Sequence, residues 1–168
     1  LLQISLLQVL IFSSFYIVKL CFAKVLFIYF AFINIPKFMT KFIKVSLFFC
    51  VTSVVLGAFG AHLLKDLLTE NQIVSFQTGI RYQMFHGLSI LILSLNKDYF
   101  TDKLNIDLQL MSVGVILFSL SIYLLNLQDL LGVSLSFLGP ITPLGGLFLI
   151  GSWSILLFSV KKNSSSNI

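Results

Sequence analysis

Long uncharged stretches separated by short polar breaks organise this chain. Residues 45–64 form a run of twenty without charge when His62 is neutral, and residues 108–128 form another of twenty-one. Either is enough for a helix to cross a hydrocarbon layer of roughly 30 Å. Residues 130–160 are uncharged for thirty-one positions, too many for one ordinary span. Gly139-Pro140 and Pro143, followed by Gly145-Gly146, divide that run. Proline removes a backbone donor and disfavours helix in the residue before it. A span over residues 141–160 is therefore expected, preceded by a short connector, residues 130–139, lying against the membrane surface.

The remaining helix announces itself by its start. Thr69 precedes Glu70, and Gln72 stands three positions on, the spacing of a capping box in which hydroxyl and amide satisfy orphan backbone N–H groups. From there a helical pattern runs to Leu95, its first turns at the interface and the rest crossing. Residues 96–107, with Lys97, Asp98, Asp102, Lys103 and Asp107, read as a polar loop. The fold class expected is an all-α membrane protein. It is an antiparallel four-helix transmembrane bundle with an interfacial helix leading into span two and a Pro/Gly-broken entrance to span four. The spans fall at about 44–64, 79–95, 108–127 and 141–160 within a membrane domain of residues 39–160.

Residues 1–38 are apolar but interrupted by Lys19 and Lys24, and the first methionine is Met39. They read either as an extra span or as an upstream extension outside the working protein, the latter preferred. A secretory signal fits less well, because no basic segment precedes the apolar stretch. Residues 161–168, with three consecutive serines, read as a solvated, disordered tail.

Composition removes the soluble alternatives. Hydrophobic residues make up 58% of the chain and charged ones 10%, whereas a soluble domain carries about a quarter charged residues. The net charge of +5 does not point to nucleic acid. The lysines cluster at span ends (Lys37, Lys41 and Lys44; Lys97 and Lys103; Lys161 and Lys162), which is the positive-inside pattern. Four spans then return all seven to one side, so both ends of the core are expected in the cytoplasm, most simply of a bacterial inner membrane. Cys21 and Cys50 sit in apolar runs with no C-x-x-C pair, and read as inert thiols.

Polar groups inside a bilayer ask for a reason. Arg81, Tyr82, Gln83 and His86 enter the second span, and His62 ends the first. One reading gathers them, with Pro140, Pro143, Gly145 and Gly146, around a vestibule on the side away from the lysines. Tyr82, His86 and Ser89 share a helical face by i, i+4, i+7 spacing. The plainer reading, given more weight, is structural. Arg81 snorkels and pairs with Asp66 or Glu70 at a hinge, and His86 bonds a neighbouring helix. Gly57, Gly60 and Ala61 form a small-residue face for close helix approach, Gly79 belongs to the same packing and hinge set, and the prolines begin a helix.

From Met39 onward the chain resembles the small membrane-protein family that includes bacterial YgdD and YwdK and eukaryotic transmembrane protein 256. The resemblance rests on residues 56–62 (L-G-A-F-G-A-H), 76–86 (F-Q-T-G-I-R-Y-Q-M-F-H) and 138–146 (L-G-P-I-T-P-L-G-G), with Trp153 in the last span. It covers residues 39–160 and implies a four-span inner-membrane protein, without an agreed activity. The chain departs from the family pattern at Leu63, where glycine is usual, at Leu120 within Phe118-Ser119-Leu120-Ser121, and at Phe85, where tyrosine is common.

No span core holds Asp or Glu, two histidines alone make a poor metal site, and neither a nucleophile elbow nor a phosphate-cradling glycine loop is present. The expectation is a non-enzymatic protein with no catalytic residues, metal or cofactor. Its partners are the lipid bilayer and a second copy or another membrane protein, with no nucleic acid. It would act by helix–helix association. Two alternatives stay open: a small channel or carrier for a polar or anionic solute, and a lipid-binding envelope protein.

Overall fold

The computed structural model describes residues 39–161. The expectations for residues 1–38, and for the tail after Lys161, lie outside the described residues. Helix α1 spans Thr40–His62 and α2 spans Glu70–Leu95. Then come α3 (Leu104–Val115), α4 (Ser121–Leu131) and α5 (Ile141–Ser159). A π turn, Ile116–Leu120, joins α3 to α4, so that Leu104–Leu131 is a single rod. Among the described residues, three segments are long and apolar enough to cross a membrane: α1, the rod, and Ser136–Ser159. The fold is all-α, four long helices in antiparallel succession.

Local chemistry sets the helix ends. At the start of α2, the Thr69 N–H donates to Gln72 Oε1 at 2.9 Å and the Gln72 N–H donates to Thr69 Oγ1 at 3.4 Å. This is the capping box read from the sequence. α4 stops at Gly132, whose φ of +65° is left-handed. The Val133 N–H then reaches back to the Gln128 carbonyl at 3.1 Å, the 6→1 closure of a Schellman motif. Pro140 immediately precedes α5, where its missing N–H costs nothing.

α2 is held between α1 and the rod along most of its length. On α1 the inward positions Ser46, Ser53 and Gly60 recur at seven-residue spacing and are all buried. Their small size lets α2 close in: a Cβ added at Gly87 would lie 3.2 Å from Phe49 Cβ and 3.4 Å from the Ser46 carbonyl oxygen. Small residues at such contacts are the usual means of bringing membrane helices together. The serine hydroxyls turn back onto their own helix, Ser46 to the Ile43 carbonyl and Ser53 to that of Phe49. Phe76, Ile90, Leu108, Met111 and Val115 form the buried apolar centre.

The rod and α5 pack backbone to backbone. A Cβ at Gly145 would collide with the Phe118 main chain, and one at Gly114 would lie 2.7 Å from Leu149 Cδ2. The Thr142 and Ser121 hydroxyls meet at 2.7 Å. The first turn of α5 is thus level with Ser121, whereas α4 goes on through its 11 residues to Leu131, about 15 Å further at 1.5 Å per residue. The connector therefore does not lie flat on the surface, as the sequence reading had it. Residues 132–140 descend beside α4, with Leu138 buried and Val133 and Phe137 exposed.

The polar loop over residues 96–107 is also corrected. Lys97–Tyr99 is a 3-10 turn, α3 already begins at Leu104, and Asp107 is fully buried inside it. An isolated antiparallel bridge, Phe100 with Val160, fastens this connection to the end of α5. Lys41, Lys44, Lys97, Lys103 and Lys161 come together at this end of the molecule, since each helix runs opposite to the one before it.

Candidate functional site

Gln83 faces the join between α1, α2 and α4. Its Nε2 donates to the Phe49 carbonyl at 3.0 Å and to Thr52 Oγ1 at 2.6 Å, while its Oε1 accepts from the Tyr123 hydroxyl at 2.9 Å. Both amide hydrogens are in use, and the side chain is buried. One turn away the Ser119 hydroxyl, in the π turn, donates to the Gly79 carbonyl at 3.0 Å. Gly79 is required there, because a Cβ would stand 2.7 Å from the Tyr123 ring. A π turn adds a residue to the helical repeat and re-aims its side chains. Here it lies where Ser119 reaches α2 and Gly145 reaches the backbone.

His86 occupies the next turn and points to α5. Its Nδ1 bonds the Tyr82 carbonyl at 2.8 Å, and Trp153 Nε1–H donates to its Nε2 at 3.1 Å. A carbonyl only accepts and an indole N–H only donates, so the two partners fix the neutral tautomer with hydrogen on Nδ1. The Tyr82 ring stacks on His86 at 5.8 Å and lies against Phe118 at 4.6 Å. Tyr82, His86, Phe118 and Trp153 form one aromatic cluster between α2, the π turn and α5.

The other candidate residues are elsewhere. Arg81 is exposed, and its Nη2 donates to Thr78 Oγ1 at 3.1 Å on the same helix. Lys97 pairs with Asp98, and among the described residues Arg81 forms no ion pair with Asp66 or Glu70. His62 is exposed at the end of α1. Gly60 contacts Phe76, so His62 and His86 are about 18 Å apart along the helix axes at 1.5 Å per residue. Ser89 donates to the Phe85 carbonyl. Of the small residues, Gly60, Gly79 and Gly145 meet neighbouring helices, and Gly146 touches the Phe118 ring. Gly57 has nothing within 4 Å of a built Cβ, and Ala61 is exposed. Pro140 and Pro143 bracket the first turn of α5.

Residues 56–146, running from α1 into the first turns of α5, match the family described as Protein of unknown function (DUF423). The chain belongs to this family. Among DUF423 relatives, the UPF0382 membrane protein SH2409 of Staphylococcus haemolyticus is 35% identical over 124 residues, covering 74% of this chain and 98% of the relative. YwdK of Bacillus subtilis is 32% identical, covering 74% and 98%. The inner membrane protein YgdD of Escherichia coli is 34% identical, covering 72% and 87%. No solved structure matches. With these relatives and its three apolar spans, this DUF423 chain is a multi-pass membrane protein. The matched stretch includes Gly79, Gln83, His86, Ser119 and Tyr123, while Trp153 lies beyond it.

Sequence reasoning missed Tyr123 and Ser119 as partners of α2, Gly87 and Gly114 as close-contact glycines, and Asp107 as a buried carboxyl. Glycines at facing helix positions were the available signal for two of them. Nothing local distinguished Asp107 from a loop residue.

Proposed function

We propose that the protein is an integral membrane component that acts by helix–helix association, presenting the outward face of α1 to a second copy or another membrane protein. The observation that carries this reading is Gly57. It stands in the second half of α1 with open space, among the described residues, where a Cβ would be, flanked by exposed Val54, Ala58 and Ala61. Glycine lowers helix stability by about 1 kcal/mol relative to alanine, and small residues on an outward face allow another helix to approach closely. The residues a solute would need, Gln83 and His86, are already bonded to Thr52, Phe49, Tyr123, Tyr82 and Trp153. That favours association over a channel or carrier.

On this reading all four helices cross the bilayer. α2 lacks the apolarity of the other three, but it lies between α1 and the rod, and most of its polar side chains bond to its own helix or to its neighbours. The lysine-rich end faces the cytoplasm by the positive-inside rule, and the membrane is a bacterial inner membrane, as named for YgdD. The test is cross-linking through Ala61→Cys in lipid nanodiscs, with and without Gly57→Leu. Cross-linked dimers that disappear with Gly57→Leu are expected. A wild-type chain that stays monomeric in bilayers and retains no partner on purification would overturn the reading.

A further inference from the structure

Asp107 is 0% exposed, one turn into α3 and against α5. Two serines of α5, both fully buried, bond to it. Ser152 Oγ donates to its backbone carbonyl at 3.0 Å, and Ser159 Oγ lies 2.7 Å from its Oδ2. Its other oxygen, Oδ1, is buried without a hydrogen-bond partner. An ionised carboxylate would leave that oxygen carrying charge in an apolar setting, which is among the costliest arrangements a protein can hold.

Ser159 offers a partner for the proton of a neutral Asp107. Ser159 Oγ is within bonding distance of two acceptors, Asp107 Oδ2 at 2.7 Å and the Ile155 carbonyl at 3.1 Å. A serine hydroxyl has one hydrogen and donates fully to only one of them at a time. One added proton resolves this: Asp107 Oδ2–H donates to Ser159 Oγ, and the Ser159 hydroxyl hydrogen goes to the Ile155 carbonyl. Oδ1 then becomes the uncharged C=O of a carboxylic acid.

We infer that Asp107, Ser159 and the Ile155 carbonyl form a proton-binding site, in which Asp107 is held as a neutral carboxylic acid that locks α3 to α5. Its ligand is a proton taken up from the lysine-rich aqueous side. The site is joined to a latch. The Ser159 carbonyl accepts from the Thr101 N–H at 2.8 Å, beside the Phe100–Val160 bridge and the bond from the Lys161 N–H to the Tyr99 carbonyl at 2.9 Å. Release of the proton charges the α3–α5 seam at the residue that fastens the α2–α3 connection.

Two features favour the charged form in part: Asp107 is in the first turn of α3, where a helix dipole suits an anion, and the Lys103 charge acts on it. α5 brings no titratable group over Ile141–Ser159, and neither does α2 at this level, Ile90 to Leu95. Lys103, the residue just before α3, is exposed. In the connection, Lys97 and Asp98 pair at 3.9 Å, Asp102 is exposed, and Lys161 Nζ donates to the Asp98 carbonyl at 3.0 Å. On α1, Lys41 and Lys44 are exposed at the same end.

Infrared spectroscopy of the purified full chain in nanodiscs tests the site. At neutral pH the wild type should show a carboxylic-acid C=O band that shifts in D2O, is missing in Asp107→Asn, and moves in frequency in Ser159→Ala. Melting supplies a second readout. Above the ordinary carboxylate range the folded chain keeps a proton that the unfolded chain releases, so wild-type stability falls as pH rises through the Asp107 titration. Asp107→Asn, which mimics the acid and has no proton to release on unfolding, should melt at or above the wild-type temperature at neutral pH and lose that slope. If Asp107→Asn does not fold, the Ser159→Ala band shift still decides. A wild-type spectrum at neutral pH without an acid band sensitive to Ser159→Ala would overturn the inference, as would a melting slope above the carboxylate range that is unchanged in Asp107→Asn.

Discussion

The hydroxyl of Tyr123 donates to the amide oxygen of Gln83 across 2.9 Å, tying α4 to α2 at the point where α2 also bonds α1. Three helices meet through one side chain. Removing one end of this contact leaves the other buried and unpaired. Tyr123→Phe is expected to destabilise by about 0.5–1 kcal/mol, the range of interhelical bonds in lipid. Gln83→Leu, which orphans the Tyr123 hydroxyl and loses two donated bonds, should cost about 1–3 kcal/mol. Denaturant titration in bicelles, arranged as a double-mutant cycle, would measure their coupling.

Adjacent glycines at the start of α5 should behave differently. A Cβ at Gly145 strikes the Phe118 backbone, whereas one at Gly146 meets only the Phe118 ring at 3.9 Å, an ordinary contact. Gly145→Ala must force α5 off the π turn and is expected to destabilise by about 1–3 kcal/mol. Gly146→Ala should leave the melting temperature at or slightly above that of the wild type.

The His86 tautomer is open to direct observation. With the Nδ1 bond to the Tyr82 carbonyl and the Trp153 N–H on Nε2, 15N spectra should show a protonated Nδ1 and an unprotonated Nε2. Trp153→Phe should move the Nε2 resonance and leave Nδ1 in place. A protonated Nε2 in the wild type would contradict the geometry.

Arg81 is exposed and bonded only within its own helix, to Thr78. Arg81→Leu should therefore change unfolding free energy by less than about 0.5 kcal/mol. A larger loss would mean that the guanidinium holds more than Thr78.

Thr69→Ala removes the hydroxyl half of the capping box and is expected to cost about 1 kcal/mol. Faster amide exchange confined to the first turn of α2 is the signature to look for.

What the sequence disclosed divides by distance along the chain. The Thr69–Gln72 box and the Pro140 helix start are local, three residues or fewer, and could be read directly. The three apolar spans followed from the uncharged runs, because lipid tolerates little else, whereas the second expected span is less apolar than these. The contacts of Gln83 reach 31 to 40 residues away, and those of Asp107 45 and 52. No periodicity within a single helix encodes which serine on another will face a carboxyl. Asp107 in particular follows a cluster of charges, so local composition assigns it to water while packing assigns it to the interior. The π turn was equally hidden, since Ile116–Leu120 has the apolar composition of any span.

The low start of α5 bears on the lipids themselves. Thr142 pairs with Ser121 well below the end of the rod at Leu131, and only the descending residues 132–140 fill the corner above it. Acyl chains in that corner meet an irregular connection and a 3-10 turn, Ser136–Leu138, in place of a regular helix face. The side chains offered to lipid there are the exposed Val133 and Phe137, loosely set where the other walls are regular.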